Sequence, residues 1–147
     1  MVNTNEGKFN LAVGAVIENK NTGKILLIKR SSNADFEPDV WENITGRVKQ
    51  FEDPESALKR EIKEETGLNA KIIKPLKVFH MFRGSKNAEN ELVGIIYWCE
   101  TNSRKVFLSH EHSEFIWIEP EKALDFVKHK GIKDDIECFL REKGAVV

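Results

Sequence analysis

The sequence of 147 residues lacks several features that mark specialised classes of protein. It has only two cysteines, Cys99 and Cys138, which stand far apart without the spacing of a metal site, so we expect two reduced thiols. No apolar run approaches the length of a membrane span, and residues 1–10 contain no hydrophobic signal core. These absences predict a cytoplasmic protein without a membrane partner.

An excess of charge is also lacking, since 23 Lys and Arg residues stand against 24 Asp and Glu residues, a formal net charge of −1. Without a basic field, long nucleic acid is not expected as a partner, although a local positive site could bind a small phosphorylated molecule. Internal repeats and low-complexity tracts are absent. The length and the apolar content of 40% predict a single domain over residues 1–147.

Apolar patterns predict several strands. Residues 9–17 alternate apolar and polar side chains, which indicates a half-buried strand, whereas residues 92–99 form an almost continuous apolar run typical of a central strand. Pro75 interrupts or bulges the strand that contains it. The segments 31–40 and 109–114 are polar and predict loops. The predicted strands are residues 9–17, 24–29, 41–44, 71–82, 92–99, 107–108 and 115–118.

Two helices are predicted toward the end of the chain. The first opens at Pro120 and has Gly131 as its stop signal. The second carries apolar residues between Ile132 and Leu140 and ends near Gly144. Helices interleaved with strands favour a mixed sheet flanked by helices, an α/β or α+β fold.

The helix with the clearest boundaries lies within Gly46–Leu68. Asp53 suits the N-cap, Pro54 suits the first helical position, and Gly67 suits the left-handed residue after the end. Glu55 is predicted to be a surface residue of this helix.

Three glutamates of this helix, Glu61, Glu64 and Glu65, fall on one face because their spacing is i, i+3 and i+4. That face adjoins the apolar Leu58 and Ile62 instead of the solvated back. Carboxylates about 5 Å apart repel by roughly 3 kcal/mol per pair at an effective dielectric near 20. A cation or bound protons must relieve this repulsion, and oxygen-rich clusters suit Mg²⁺ or Mn²⁺.

The whole stretch has the spacing Gly46-x5-Glu52-x7-Arg60-Glu61-Ile62-x-Glu64-Glu65-x-Gly67-Leu68. It matches the motif of the Nudix hydrolase superfamily at every constrained position, and the chain resembles that family over about residues 8–142. The resemblance implies an α/β/α sandwich with a mixed central sheet and the activity of a MutT-like pyrophosphatase. It also implies Mg²⁺ as the cofactor, with Mn²⁺ as an alternative.

The resemblance further implies roles for particular residues. The family's metal ligands correspond to Glu61, Glu64 and Glu65. Arg60 matches the arginine that orients the catalytic glutamates, and Glu52 stands where a water-mediated metal contact is common. Many members have Pro-Gly-Gly before the motif, whereas this chain has Ile44-Thr45-Gly46. The middle position contacts metal through its backbone carbonyl, so Thr45 is still expected to serve.

The family commonly adds a metal ligand or general base from a later loop. Glu111 is preferred for this role, Glu114 is the competing candidate, and it is also open that neither serves. Arg30 ends a predicted strand, where it is either a surface charge or a contact to substrate phosphate. His110 and His112 form His-x-His, but two loop histidines without a third ligand are weak evidence for zinc and are usually solvated.

The expected function is metal-dependent hydrolysis of a diphosphate linkage, with water attacking phosphorus. The expected partner is a small nucleoside triphosphate-like or nucleoside diphosphate-linked molecule, and the expected state is a monomer or homodimer. One alternative is a dihydroneopterin triphosphate diphosphatase, because Thr45-Gly46 and Glu111-His112 resemble sequences of those relatives. Another alternative is a module that senses a nucleotide without cleaving it, although such modules typically lose motif glutamates that this chain retains.

Overall fold

A computed structural model describes residues 5–144 of the chain. Within these residues lie seven strands, three α-helices and one short 3-10 helix at Ala88–Asn90. The elements are β1 (Asn10–Asn19), β2 (Ile25–Arg30), β3 (Trp41–Glu42), β4 (Ile44–Arg47), α1 (Pro54–Thr66), β5 (Lys71–Phe82), β6 (Glu91–Thr101), β7 (His112–Ile118), α2 (Pro120–Phe126) and α3 (Lys130–Glu142).

The strands form one mixed sheet with the order β3-β2-β1-β6-β5. β4 also pairs with β1, and β7 also pairs with β2, both in antiparallel orientation. β1 and β6 run parallel, from Asn10 opposite Leu92 to Asn19 opposite Thr101. The predicted mixed sheet is confirmed.

Helices cover both faces of the sheet. On one face, Val13 and Ile17 of β1 pack in a cluster with Leu58 of α1. On the other face, Val16 of β1 packs in a cluster with Phe139 of α3. The fold is therefore the α/β/α sandwich that the resemblance implies.

Because β1 lies in the middle of this sandwich, the prediction that it is half-buried was wrong. Consecutive residues of β1, such as Val16 and Ile17, are both fully buried. A strand covered on both faces needs no polar alternation. The bulged strand predicted around Pro75 is confirmed, since the pairing of β5 with β6 shifts register between Pro75 and Lys77.

Four further boundaries differ from the predictions. The strand predicted at 41–44 is divided at Asn43, because β3 pairs with β2 while β4 pairs with β1. Residues 107–108 are not a strand. β7 begins at His112, inside the predicted loop, because pairing with β2 extends it. Gly131 does not stop a helix but lies in the first turn of α3, where His129 caps the helix by accepting from the Gly131 N–H.

The ends of α1 are as predicted. The Asp53 side chain accepts a hydrogen bond from the Ser56 N–H at 3.0 Å, and Pro54 takes the first position. Gly67 has φ of 73°, the left-handed conformation that glycine adopts without steric cost. Both cysteines are free thiols, as expected. None of the helices in residues 5–144 is long and apolar enough to cross a membrane.

Candidate active site

The glutamates of α1 differ in exposure because they lie around the edge of the buried stripe. Glu65 is only 7% exposed, and the Glu61 side chain is 15% exposed. The Glu64 side chain is 56% exposed and reaches solvent. The interpretation that the acids border the core is confirmed for Glu61 and Glu65, of which Glu65 lies deeper, and was wrong for the solvated Glu64.

These glutamates line a cleft of about 310 Å³ together with Ser109, His110 and Glu111. The loop that carries Glu111 is fixed to the end of β2, since the Ser31 N–H donates to the Glu111 carbonyl at 2.9 Å. Glu114 instead forms an ion pair with Lys29 at 3.2 Å, and its side chain is 59% exposed. Of the two candidate carboxylates, the structure brings Glu111 to the motif glutamates.

Arg60 organises the acids at the mouth of the cleft. It binds Glu52 through two hydrogen bonds, from Nε to Oε2 at 2.8 Å and from Nη2 to Oε1 at 2.9 Å. Its Nη1 donates to Glu61 at 2.8 Å and to Glu64 at 3.3 Å, the contact that helical spacing allows. Nη2 also donates to the Arg47 carbonyl at 3.0 Å. One guanidinium thus holds three carboxylates and the backbone of β4.

Glu52 is committed to protein donors. Besides Arg60, its Oε1 accepts the Lys49 N–H at 3.0 Å. Hydrogen bonding to Arg60, and then to Lys49, lowers the pKa of Glu52 to about 2. In these contacts Glu52 holds Arg60 in place, and its water-mediated metal contact stays a prediction.

Gly46 is required by its contact with Glu61. A Cβ atom at Gly46 would clash with the carboxyl group of Glu61, so any larger residue would displace that carboxylate. The neighbouring Thr45 pairs with Gly14 on β1, and the metal contact of its carbonyl stays a prediction.

Glu65 has the most unusual electrostatic environment. Burial, and then the nearby charges of Glu61, Glu42 and Glu111, raise the pKa of Glu65 to about 9. Its buried Oε2 has no hydrogen-bond partner among residues 5–144. Burial also raises the pKa of Glu61, although Arg60 opposes the shift. A buried acid surrounded by other acids needs either a proton or a cation.

A hard divalent cation fits this donor set. Mg²⁺ and Mn²⁺ prefer carboxylate oxygens, and the orphaned Oε2 of Glu65 is such a ligand. In the described part of the chain, no three His, Cys, Asp or Glu side chains already converge with the geometry of a metal site. Arg60 holds Glu61 and Glu64, while burial fixes Glu65.

A buried polar network beside the cleft was not predicted from the sequence. Arg30 donates from Nε to the Phe36 carbonyl at 2.7 Å and from Nη1 to Glu42 Oε2 at 3.4 Å. The same Oε2 lies 2.9 Å from Nε2 of His112, whose side chain is only 1% exposed. The expectation of a solvated His112 was therefore wrong. The strand pairing that brings Arg30 opposite His112 has no local signal in the sequence.

Arg47 and Arg83, unlike Arg30, were not singled out in the sequence. The Arg83 guanidinium carbon lies 4.8 Å from the centre of the Phe36 ring. Burial and the positive charge of Arg83 lower the pKa of Arg47. Neither arginine forms an ion pair within residues 5–144, so both positive charges are available to an anion.

The NUDIX domain model matches residues 8–141. The CTP pyrophosphohydrolase of Escherichia coli strain K12 is 29% identical over 133 residues, which cover 90% of this chain and 93% of that protein. The dihydroneopterin triphosphate diphosphatase of Haemophilus influenzae is 28% identical over 147 residues, which cover 90% of this chain and 89% of that protein.

Solved structures agree with the sequence relatives. The crystal structure of the MutT protein from Methanosarcina mazei Go1 superposes with a TM-score of 0.78 at 27% identity, covering 95% of this chain and 99% of that chain. The chain belongs to the NUDIX domain family and is a Nudix hydrolase, with relatives that resemble nucleotide diphosphatases.

Proposed function

We propose that this Nudix hydrolase cleaves a diphosphate linkage in a nucleoside triphosphate-like or nucleoside diphosphate-linked substrate, with Mg²⁺ or Mn²⁺ as cofactor. The observation that carries the proposal is Glu65, a buried carboxyl with an unpartnered oxygen and acidic neighbours. Glu61, Glu64, Glu65 and Glu111 would hold the cation. A bound cation would allow these acids to be ionised together at neutral pH.

When bound, the cation neutralises the diphosphate, orients the attacking water and lowers its pKa. The chain's own residues prepare this chemistry. Arg60 fixes Glu61 and Glu64 at its Nη1, while Glu52 fixes Arg60 through the opposite edge of the guanidinium. Glu111 faces the cleft from its own loop, where it serves as metal ligand or as the base that accepts the proton of water.

Three arginines outside α1 are candidate partners for substrate phosphate. Nε and Nη1 of Arg30 donate hydrogen bonds to Phe36 and Glu42, while its Nη2 has no hydrogen-bond acceptor among residues 5–144. Arg47 and Arg83 form no ion pair in that part of the chain. These guanidinium groups suit the charge and the geometry of phosphate.

The test is a panel of substrates with Mg²⁺ or Mn²⁺ and a readout of released phosphate or diphosphate. It should include CTP, other nucleoside triphosphates, nucleoside diphosphate conjugates and dihydroneopterin triphosphate. We expect turnover of at least one compound, and the Glu65→Gln variant should abolish it. A wild-type protein without product on the whole panel, or a Glu65→Gln variant of normal rate, would contradict the proposal.

Dihydroneopterin triphosphate is the second candidate substrate. It is favoured by the 28% identity to the Haemophilus influenzae enzyme and by the pairs Thr45-Gly46 and Glu111-His112. The ratio of kcat/KM for this compound and for CTP decides between them. A nucleotide-sensing module, in contrast, would bind a compound of the panel without turning it over.

A further inference from the structure

The ends of β2 and β3 and the start of β7 lie beside the cleft, where their side chains contact one another. Arg30 is the last residue of β2, Glu42 the last of β3, and His112 the first of β7. Oε2 of Glu42 lies 2.9 Å from His112 Nε2 and 3.4 Å from Arg30 Nη1. The Glu42 side chain, 14% exposed, therefore joins the two neighbouring strands β2 and β7. None of these residues belongs to the motif stretch Gly46–Leu68.

The contact with Glu42 determines the orientation of the His112 ring. An ionised carboxylate only accepts hydrogen bonds, so Nε2 of His112 must carry the donated proton. The other ring nitrogen, Nδ1, is buried and has no partner in residues 5–144. Within the described chain, the hydrogen bond to Glu42 is thus the only polar contact of the ring.

His112 directly follows Glu111, and its fixation therefore extends to the loop in the cleft. Ser31 follows Arg30, and its N–H donates to the Glu111 carbonyl at 2.9 Å. Glu42 thus contacts Arg30, which precedes the donor Ser31, and His112, which follows the acceptor Glu111. The pairing of β2 with β7 shifts register between Lys29 and Arg30 and ends at the pair Arg30–His112, so Glu111 lies just beyond the last paired residue of β7.

We propose that Glu42 is a positioning residue that acts through His112 to hold Glu111 at the cleft. The proposal rests on the role of Glu111 in the proposed function. Glu42 itself stays bound to His112 and Arg30 and takes no part in the chemistry. Buried hydrogen bonds behind a functional carboxylate fix its direction, and their loss typically lowers metal affinity or activity by 10- to 100-fold.

The first test needs no substrate and no metal. Amide hydrogen exchange of Ser31 reports whether its hydrogen bond to the Glu111 carbonyl persists. In metal-free protein, Glu42→Ala should accelerate this exchange by about tenfold or more. The matched control is Lys29→Gln, which removes the adjacent ion pair between β2 and β7 and should leave Ser31 protected. Unchanged protection of Ser31 in Glu42→Ala would overturn the proposal.

The second test is kinetic. Glu42→Ala should lower kcat by about 10- to 100-fold with KM changed less than threefold. Glu42→Gln keeps an oxygen that accepts from His112 Nε2, so this conservative variant should retain kcat within about threefold. A Glu42→Gln variant as slow as Glu42→Ala would show that the charge itself acts in the reaction, and the proposal would be rejected. Should Glu42→Ala fail to fold, His112→Phe keeps a ring of similar shape and removes the same contact from the other side.

A double mutant separates action through Glu111 from general damage. In a Glu111→Gln background, adding Glu42→Ala should lower kcat by less than threefold further, because the group being positioned is already absent. Losses that multiply would contradict the proposal even if each single variant is slow. If the wild-type protein shows no turnover, the proposed function fails, while the exchange of Ser31 still decides whether Glu42 holds the loop.

Discussion

Two carboxyl groups are buried to the same degree on opposite faces of the sheet. Glu65 of α1 and Asp135 of α3 are each 7% exposed, and burial raises the pKa of both. Lys77 of β5 lies 3.0 Å from Asp135 and opposes this rise. Glu65 has an oxygen without a partner among residues 5–144, and the acidic charge that raises its pKa most is that of Glu61.

The difference separates an acid whose charge is compensated on folding from one for which we propose a role in binding a cation. Asp135 forms an ion pair with Lys77 that joins α3 to the edge strand β5, so folding alone compensates its charge. The described part of the chain does not compensate the negative charge of an ionised Glu65, because the charged groups around it are mostly acids. A cation from outside the protein would complete it. Burial alone does not distinguish these two acids; what distinguishes Glu65 is a buried carboxylate oxygen without a partner in residues 5–144, in an acidic environment.

The strongest test of this contrast is catalytic. We expect Glu65→Gln to lower kcat by about 10³-fold, since it removes a carboxylate that acts on the reacting groups. Asp135→Asn should change kcat by less than tenfold, because Asp135 lies on the other face of the sheet from α1. Steady-state rates at saturating substrate and Mg²⁺ measure both. Comparable losses in the two variants would break the comparison.

The same contrast applies to the two carboxylates near the start of β7. Glu111→Gln should lower kcat by about 10²-fold with little change in KM, because Glu111 faces the cleft. Glu114→Gln should stay within about twofold, since an exposed ion pair such as Lys29–Glu114 contributes at most about 1 kcal/mol. A normal rate for Glu111→Gln would reject Glu111 as metal ligand or general base and leave Glu114 or neither residue in that role.

The pH dependence of the free energy of unfolding tests the contrast between Glu65 and Asp135 without an activity assay. The folded pKa of Glu65, about 9, lies above the usual value of 4.5. Between these values the folded protein keeps a proton that the unfolded chain loses, so the free energy of unfolding of metal-free protein falls as pH rises. Glu65→Gln should remove this loss and stabilise the protein at pH 8 by at least about 1 kcal/mol.

Asp135→Asn should have the opposite effect on stability. It leaves Lys77, whose side chain is 22% exposed, without its anion and should lower the free energy of unfolding by about 1–3 kcal/mol. Urea unfolding with a chelator measures both variants. Addition of Mg²⁺ should stabilise wild type and not Glu65→Gln, because only a cation bound to the folded state raises its stability. Destabilisation of both variants to the same extent would refute the contrast.

Local signals in the sequence predicted the helix that carries the site. The caps of α1 depend on adjacent residues, and Asp53, Pro54 and Gly67 occupy the positions expected from their intrinsic preferences. The burial of β1 was missed because a strand's neighbours in the sheet are set by distant segments. Gly131 was misread for a related reason: His129 caps α3 two residues earlier, and glycine alone does not distinguish a stop from a start.

The candidate site divides in the same way. The periodicity of α1 predicted that Glu61 and Glu65 border the core, because both are placed by one helix. Glu42 could not be found from the sequence, since its contact with His112 joins residues 70 positions apart. The approach of Glu111 to the motif glutamates was expected only from the family resemblance and depends on the pairing of β7 with β2.

A smaller effect is expected at Thr66, the neighbour of Glu65, where a buried polar group has its partners. Its Oγ1 donates to the Ile62 carbonyl at 2.6 Å and accepts the Leu68 N–H at 3.2 Å. Thr66→Val keeps the shape and removes both bonds, so the free energy of unfolding should fall by about 1 kcal/mol. kcat should stay within threefold, measured beside urea unfolding. A Thr66→Val variant that is tenfold slower with unchanged stability would show that a fully hydrogen-bonded side chain at this end of α1 also serves the reaction. The presence of hydrogen-bond partners would then no longer distinguish structural from functional side chains.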